Sequence, residues 1–143
     1  MKTTFSIINN ISEIQQIVHS CKEDMFSSLS DDFLESLAEK FAKHGCFLTA
    51  YQEEKLVGYI AFYCNDNVGK TAFISVIVVK KSFQRIGLGS ALINEAIKKS
   101  KENGMTKLRL EVDMNNKNAI QFYKRMGFAV ESVSTTMYMS KDI

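Results

Sequence analysis

The chain has 143 residues, of which 45% are hydrophobic and 24% are charged. This length suits one domain with a buried core, and the composition argues against disordered, collagen-like and coiled-coil proteins. Eighteen basic and sixteen acidic residues leave a formal charge of +2, far from the concentrated basic surface of a dedicated nucleic-acid binder, so we expect no nucleic-acid partner.

Cysteine usage and hydropathy indicate the compartment. Cys21, Cys46 and Cys64 lack the C-x-x-C spacing of a zinc or redox site, which predicts free thiols and no metal site. No stretch approaches the ~20 apolar residues of a membrane span, and residues 1–14 hold no signal-peptide core. We therefore expect a cytoplasmic protein with no membrane partner.

The chain shows no sign of an internal boundary. It contains no proline, no repeat and no Gly/Ser-rich linker. Residues 1–143 are therefore predicted to be a single domain.

The first elements are predicted to be one strand and two helices. Residues 5–8 form a short extended run, and apolar residues at three- and four-residue intervals predict amphipathic helices over residues 12–25 and Asp31–His44. The second helix is expected to stop at Gly45, because glycine readily adopts the left-handed conformation.

Three β-rich runs follow. Residues 47–51 and 56–63 are separated by a short polar stretch, which suits an antiparallel hairpin. The third run, Thr71–Val79, is almost continuously apolar, as expected of a central strand covered on both faces. We expect this strand to lie in the middle of a sheet.

The rest of the chain alternates helix and strand before two closing strands. The predicted elements are a helix from Gly87-Leu88-Gly89 to Asn103-Gly104, a strand at 107–112, a helix at 118–126 stopped by Gly127, and strands at 128–133 and 135–139. The predicted order is β, α, α, β, β, β, α, β, α, β, β.

The segment Gln84-Arg85-Ile86-Gly87-Leu88-Gly89 lies where the apolar strand passes into a helix. Glycines here let backbone N–H groups approach a ligand, and a helix N-terminus attracts anions. Each such contact contributes only ~0.3 to 1 kcal/mol, so affinity needs several amides and a cation such as Arg85. A pyrophosphate offers matching oxygens, although a purely structural tight turn is an open alternative.

Two known phosphate motifs do not fit this segment. The dinucleotide pattern G-x-G-x-x-G fails because Leu92 stands at the third glycine, and no Gly-Lys-Ser/Thr follows as in a P-loop.

The segment resembles the best-known signature of the GNAT superfamily, Gln/Arg-x-x-Gly-x-Gly/Ala after a buried strand. Gln84, Gly87 and Gly89 fill its three specified places. Residues 116–128 resemble the second signature of the family, and the matching positions are Asn116, Ala119, Tyr123, Gly127 and Phe128. The two segments occur in the family's order with a helix and a strand between them.

The resemblance implies an α+β fold with three layers (α/β/α). It implies a mostly antiparallel seven-stranded sheet, about four helices, and a splay between strand 4, Thr71–Val79, and strand 5, residues 107–112. Acetyl-CoA is the implied co-substrate, lying in that cleft, and no metal is implied.

The resemblance also implies a set of cofactor-binding residues. Backbone amides of Ile77 and Val79 are expected to pair with pantetheine, amides after Gln84 to cradle the pyrophosphate, and Asn116 to bind amide groups of the pantetheine arm. The full expected set is Ile77, Val78, Val79, Gln84, Arg85, Ile86, Gly87, Leu88, Gly89, Ser90, Asn116, Asn118 and Tyr123.

Tyr123 and Glu111 are the candidate catalytic residues. In the family, a Tyr at the place of Tyr123 often returns a proton to the leaving thiolate, and a phenol is closer in pKa to a thiol than a carboxylic acid is. The strand-4 Glu of better-understood members is missing here, so Glu111 or Asp113 is the candidate general base. The structural alternatives are a core aromatic at Tyr123 and a cross-strand charge at Glu111.

These features predict an acetyltransferase that moves acetyl from acetyl-CoA, by direct attack, to an amine of a small molecule, amino sugar or peptide. The alternatives are an acyl-CoA-binding regulatory domain without turnover and an O-acyl or longer-acyl transferase. Family members are often dimers, and the last strand, residues 135–139, is expected to offer an edge for a homodimer.

Overall fold

A computed structural model describes residues 2–25, 30–84 and 86–143. The strands found in these residues are β1 Thr3–Ile7, β2 Cys46–Gln52, β3 Lys55–Tyr63, β4 Thr71–Val79, β5 Lys107–Asp113, β6 Ala129–Val133 and β7 Thr136–Asp142. The helices are α1 Ile11–Ser20, α2 Asp31–His44, α3 Leu88–Glu102 and α4 Lys117–Arg125, with short 3-10 turns at Lys22–Asp24 and Lys81–Phe83. The predicted order of strands and helices is confirmed.

The strands form one seven-stranded sheet in the order β1-β2-β3-β4-β5-β7-β6. Every neighbouring pair is antiparallel except β4 and β5, which are parallel. Helices α1 and α2 pack on one face of the sheet, and α3 and α4 pack on the other. Each pair of helices covers one apolar core. The three-layer, mostly antiparallel prediction is therefore confirmed.

β4 and β5 separate part-way along their length. Their pairing runs from Thr71 opposite Lys107 to Ile74 opposite Leu110, and then stops, although β4 continues to Val79. The pairing of β4 with β3 skips Ser75, because Ala61 lies opposite Val76 and Phe62 opposite Ile74. Such a bulge bends its strand, and it occurs one residue after the last β5 partner. The predicted splay between strands 4 and 5 is confirmed.

Close packing on the α3 face brings the start of α3 against the end of β4. Leu92 and Ile93 of α3 are fully buried, and Gly58 of β3 lies beneath them. A Cβ at Gly58 would stand 2.5 Å from the Val78 carbonyl oxygen and 3.4 Å from a methyl carbon of Leu92. Glycine at this position therefore lets three elements approach each other beside the splay.

The helix ends differ from the sequence patterns at Gly45 and at both ends of α1, which spans Ile11–Ser20 rather than residues 12–25. Gly104 and Gly127 adopt the left-handed conformation that ends a helix, with φ of 83° and 94°. Gly45 is extended, with φ of −118°, so its expected left-handed stop is wrong. A Cβ there would lie 2.4 Å from the Phe41 ring, so the position requires glycine for space. The first helix begins after an Asn10 cap, whose side chain accepts from the Glu13 amide, rather than at residue 12.

The edge predicted for the last strand is also wrong. β7 lies between β5 and β6, so the outer strands of the sheet are β1 and β6. The place of a strand in the sheet depends on its pairing partners, and chain order alone does not provide them.

Among the described residues no helix is both long enough and apolar enough to cross a membrane.

We expect Gly58→Ala to lower the free energy of unfolding by about 1–3 kcal/mol, because the new methyl group overlaps a backbone carbonyl that cannot turn away without moving β4. Urea denaturation measures the change. Lys55→Ala, on an exposed residue of the same strand, is the control and should change stability by less than about 0.5 kcal/mol. Equal stability of the two variants would contradict the close approach.

Candidate active site

A cleft of about 780 Å³ opens where β4 leaves β5. This volume lies within the range of small-molecule sites, about 300–1,000 Å³. Its walls are the end of β4, the start of α3 and one face of α4. The predicted residues that line it are Ile77, Val78, Val79, Gln84, Gly87, Gly89, Ser90, Asn116, Asn118 and Tyr123. Both sequence signatures therefore meet in one cavity.

Two of the predicted residues, Ile86 and Leu88, do not line the cleft, and a third falls where the structure is not described. Arg85 lies outside the described residues. The Ile86 side chain is 62% exposed, and Leu88 is buried in the core beneath α3. Any contribution from Ile86 or Leu88 is therefore through the backbone, as the sequence pattern suggested for this turn.

The end of β4 presents backbone groups to the cleft. Past Ile74, β4 has no strand partner on its β5 side among the described residues. Buried backbone N–H and C=O groups almost always have a partner, so this edge is suited to pairing with an extended ligand. The Gln84 side-chain amide donates to the Val79 carbonyl oxygen at 2.9 Å. Gln84 thus anchors the turn to the end of the strand.

The turn before α3 leaves the first backbone N–H groups of the helix uncapped. Gly87 is the N-cap of α3 in the left-handed conformation, with φ of 87°, and no side chain caps the helix. The first N–H groups of a helix lack intrahelical acceptors, so those at the start of α3 are available to an anion. A Cβ at Gly87 would meet nothing within 4 Å, which leaves open space over this turn.

Gly89 has a different role from Gly87. A Cβ at Gly89 would stand 3.2 Å from the Phe122 ring of α4. The absence of a side chain therefore lets α4 approach the first turn of α3. This contact closes one wall of the cleft and could not be foreseen from the G-x-G pattern alone.

Residues of the second signature cap the start of α4 and also line the cleft. The Asn116 Oδ1 atom accepts from the Ala119 amide at 3.3 Å, so Asn116 is the N-cap of α4. Its side-chain nitrogen remains a donor on the cleft side. Asn118 is exposed on the first turn of α4 and also lines the cleft.

Tyr123 is both a core aromatic and a wall of the cleft. It is 8% exposed, and its ring lies 5.4 Å from the Phe122 ring and 5.8 Å from the Phe128 ring. Burial raises the pKa of Tyr123 to about 12, because the phenolate loses its hydration. The phenol is therefore neutral at any physiological pH and can donate a hydrogen bond.

The two carboxylate candidates lie outside the lining of the cleft. Glu111 is exposed on β5, and the Thr136 hydroxyl donates to its Oε2 atom at 2.6 Å. Asp113 accepts from the Asn115 amide at 2.8 Å, which ties it to the turn after β5. Each carboxylate therefore has one engaged oxygen, held by a side chain in Glu111 and by a local backbone amide in Asp113.

Two charged neighbours of Glu111 are engaged with each other. Arg109 on β5 pairs with Glu131 at 2.8 Å and lies 4.3 Å from the centre of the Tyr138 ring. A hydrogen bond from Ser140, and then those from Arg109, lower the pKa of Glu131. Glu131 is therefore held as a carboxylate by its own partners and is a poor candidate base.

Sequence reasoning missed Asp24 as a cleft residue. Asp24 lines the cleft, and its Oδ1 atom accepts from the Lys81 amide at 2.9 Å, just beyond the end of β4. The other carboxylate oxygen is left for a ligand. The only signal in the sequence was a cluster of acidic residues near the first two helices, and no motif connects that cluster with Lys81.

Comparisons with known proteins agree with this geometry. The model of the Acetyltransferase (GNAT) family matches residues 11–128. An uncharacterised N-acetyltransferase of Methanocaldococcus jannaschii is 43% identical over 83 residues, which are 55% of this chain and 37% of that protein. The ribosomal protein bS18-alanine N-acetyltransferase of Escherichia coli is 33% identical over 82 residues, covering 57% of this chain and 55% of that protein. The chain thus spans about half, or less, of the length of these relatives.

Solved structures share the fold. The crystal structure of the ribosomal-protein-S18-alanine N-acetyltransferase from Escherichia coli has a TM-score of 0.81 at 21% identity, covering 99% of this chain and 94% of that chain. A candidate streptothricin acetyltransferase from Bacillus anthracis, solved with acetyl coenzyme A, has a TM-score of 0.64 at 26% identity, covering 70% of this chain and 63% of that chain.

The raised pKa of Tyr123 predicts an alkaline loss of stability. The pKa of Tyr123 is about 12 when the protein is folded and 10.0 when the side chain is free. The neutral phenol therefore makes its full contribution to the free energy of unfolding below pH 10, and this contribution is lost as the pH rises through 12. The loss amounts to about 3 kcal/mol. Tyr123→Phe keeps the ring and removes the ionisable hydroxyl. Between about pH 10 and pH 12, urea denaturation should show that the free energy of unfolding falls by about 3 kcal/mol more in the wild type than in the variant. Parallel curves would contradict the burial of the phenol.

Proposed function

Because the chain belongs to the Acetyltransferase (GNAT) family, we propose that it transfers the acetyl group of acetyl-CoA to an amine. The single observation that carries the proposal is the cleft, where an unpaired strand edge and an uncapped helix N-terminus face the same cavity. These are the two kinds of backbone group that an extended amide arm and a pyrophosphate require.

The first turn of α3 fits the pyrophosphate. Amides of Leu88, Gly89 and Ser90 follow the left-handed Gly87, and there is room for phosphate oxygens where a side chain would otherwise stand. Several amides acting together with the helix dipole stabilise a doubly charged group far better than one exposed contact does. We assign these residues to the phosphate cradle, together with the amides of Arg85 and Ile86.

The strand edge and the start of α4 fit the pantetheine arm. Backbone groups of Ile77, Val78 and Val79 lie along one wall of the cleft, and Asn116 and Asn118 lie along another. The arm contains two amides, and each needs a donor and an acceptor once it leaves water. Gln84 acts indirectly, because its amide already binds the Val79 carbonyl and so fixes the shape of the strand end.

Tyr123 suits hydrogen-bond donation to the leaving sulfur. Acetyl-CoA supplies the reactive thioester, and its breakdown places negative charge on that sulfur. Full proton transfer from a phenol of pKa about 12 to a thiolate of pKa about 8.5 is uphill by about 5 kcal/mol. A neutral phenol held in a dry site stabilises developing charge without giving up its proton. We therefore refine the predicted role of Tyr123 from acid to hydrogen-bond donor.

Glu111 is the proposed general base for the acceptor amine. The hydrogen bond from Thr136 fixes one carboxylate oxygen and leaves the other able to take a proton directly or through a water molecule. Glu111 does not line the cleft, so a bridging water is the arrangement that this position favours.

We propose a peptide N-terminus or a small amine as the acceptor. The Escherichia coli relative is by its name an alanine N-acetyltransferase of ribosomal protein bS18. In this chain, Asp24 supports the same class of acceptor, because a carboxylate on the cleft attracts a cationic amine before the amine is deprotonated.

The proposal also includes a cytoplasmic location, which three free thiols favour, and a homodimer formed through the β6 edge of the sheet.

We expect Gly87→Glu to weaken acetyl-CoA binding by at least ~10-fold, because it places a side chain and a negative charge over the cradle. Isothermal titration calorimetry measures the dissociation constant. Gly104→Glu is a matched control: its φ is 83°, its surroundings are equally open, and it lies just beyond the other end of α3. It introduces similar backbone strain and the same charge away from the cleft, so binding should be unchanged. Equal affinity of both variants would reject the cradle.

We expect Glu111→Gln to lower kcat by about 100-fold or more while leaving the affinity for acetyl-CoA unchanged. The assay is release of the CoA thiol with a panel of amines that includes peptides starting with alanine. Glu39→Gln, on an exposed face of α2, is the control. Unaltered turnover in Glu111→Gln would remove Glu111 from the mechanism. Tight acetyl-CoA binding with no turnover by any amine would instead favour a regulatory domain.

A further inference from the structure

Two of the three cysteines face each other at the end of the sheet opposite the cleft. Cys46 is the first residue of β2, and Cys64 follows the last residue of β3. Their Sγ atoms are 3.7 Å apart, although the residues are 18 positions apart in sequence. Both are partly exposed, whereas Cys21 is fully buried in the other core. The pair therefore has access to reagents in solution, and Cys21 does not.

The two sulfurs share a hydrogen bond that favours a thiolate. This bond, with a smaller contribution from the nearby Lys99 ammonium, lowers the pKa of Cys46 to about 7 against the effect of partial burial. The same bond raises the pKa of Cys64. One proton therefore leaves the pair near neutral pH and the other is retained. The thiolate is the form of cysteine that attacks disulfides and peroxides.

Cys46 and Cys64 lie at the ends of neighbouring strands, at the same end of the sheet. Cys46 lies opposite Phe62, so Cys64 is a diagonal neighbour beyond the end of β3. A disulfide requires the sulfurs to approach to about 2.05 Å. Both residues stand at the ends of their strands, and Asn65 holds the segment after β3 by a single side-chain bond to the His44 carbonyl. Forming the bond therefore requires the strand ends to move until the sulfurs, now 3.7 Å apart, reach that distance.

We propose that Cys46 and Cys64 form a dithiol modification site, which small-molecule disulfides convert into an intrachain disulfide. The Cys46 thiolate attacks one sulfur of the small disulfide and releases one thiolate, leaving a mixed disulfide on Cys46. Cys64 then loses its proton, attacks the Cys46 Sγ atom and releases the second thiol. The two protein thiols are oxidised by two electrons, and the small disulfide is reduced to two thiols.

The location separates this chemistry from the acetyl-CoA cleft. Tyr63 pairs with Phe73 at the cysteine end of β3, and Gly58 pairs with Val79 at the cleft end. The disulfide would join strand ends that do not line the cleft. We expect oxidation to leave acetyl-CoA binding unchanged, so this inference and the proposed function succeed or fail separately.

Trypsin provides a direct test, because cleavage after lysine places the three cysteines in different peptides, 3–22, 44–55 and 56–70. The folded full-length protein is incubated with oxidised glutathione near neutral pH, quenched with acid, alkylated and digested without reductant. Mass spectrometry should find peptides 44–55 and 56–70 joined, with the loss of two hydrogens, and peptide 3–22 alkylated. Peptides 44–55 and 56–70 recovered separately, or a link to Cys21, would overturn the proposal.

Variants test the roles of the two sulfurs. Cys64→Ala removes both the hydrogen-bond donor and the second thiol, so Cys46 should keep its glutathione, and the midpoint pH of its alkylation by iodoacetamide should rise from about 7 towards 9.0. Cys64→Ser keeps a donor and should show a smaller rise. Cys21→Ser should form the same cross-link as wild type. Circular dichroism checks that each variant is folded. An unchanged midpoint in Cys64→Ala, or loss of the cross-link in folded Cys21→Ser, would contradict the assignment.

Discussion

The bulge at Ser75 is the local feature on which the rest of the site depends. It follows immediately after Ile74, the last residue of β4 that pairs with β5, and a bulge bends its strand away from its former direction. The parallel pairing therefore ends early, and residues 77–79 are left lining a cavity. Because parallel strands require a crossover, α3 must begin near the end of β4, which places a helix N-terminus beside that cavity.

Packing on the α3 face fixes the shape of this opening. Gly58 allows β3, β4 and Leu92 to approach closely, and Gly89 allows Phe122 of α4 to sit against the first turn of α3. Gly58 and Gly89 both allow close approach, whereas Gly87 supports a left-handed turn over open space. Two glycines two residues apart in one signature thus serve different physical purposes, one in packing and one in ligand access.

The sequence predicted what depends on local pattern and failed where distant residues decide. The element order, the central apolar strand and the meeting of both signatures follow from periodicity and from motif resemblance. The bulge falls on Ser75, the one polar residue in the apolar run 72–79, but a single serine does not by itself predict a bulge. Chain order placed the last strand at an edge, but β7 pairs on both sides. Contacts between distant segments likewise follow no spacing rule. They include those of Asp24 with Lys81, Thr136 with Glu111, and Cys46 with Cys64.

In the proposed function, backbone amides in the gap between β4 and β5 hold acyl-CoA. Titration of ¹⁵N-labelled protein with coenzyme A, followed through the amide chemical shifts, tests this binding mode. We expect the largest changes at residues 77–79 and 87–90, which line the cleft or form the first turn of α3, and none at Cys46 and Cys64. Changes confined to another surface, such as the groove between β1 and α3 near Lys98, would contradict it.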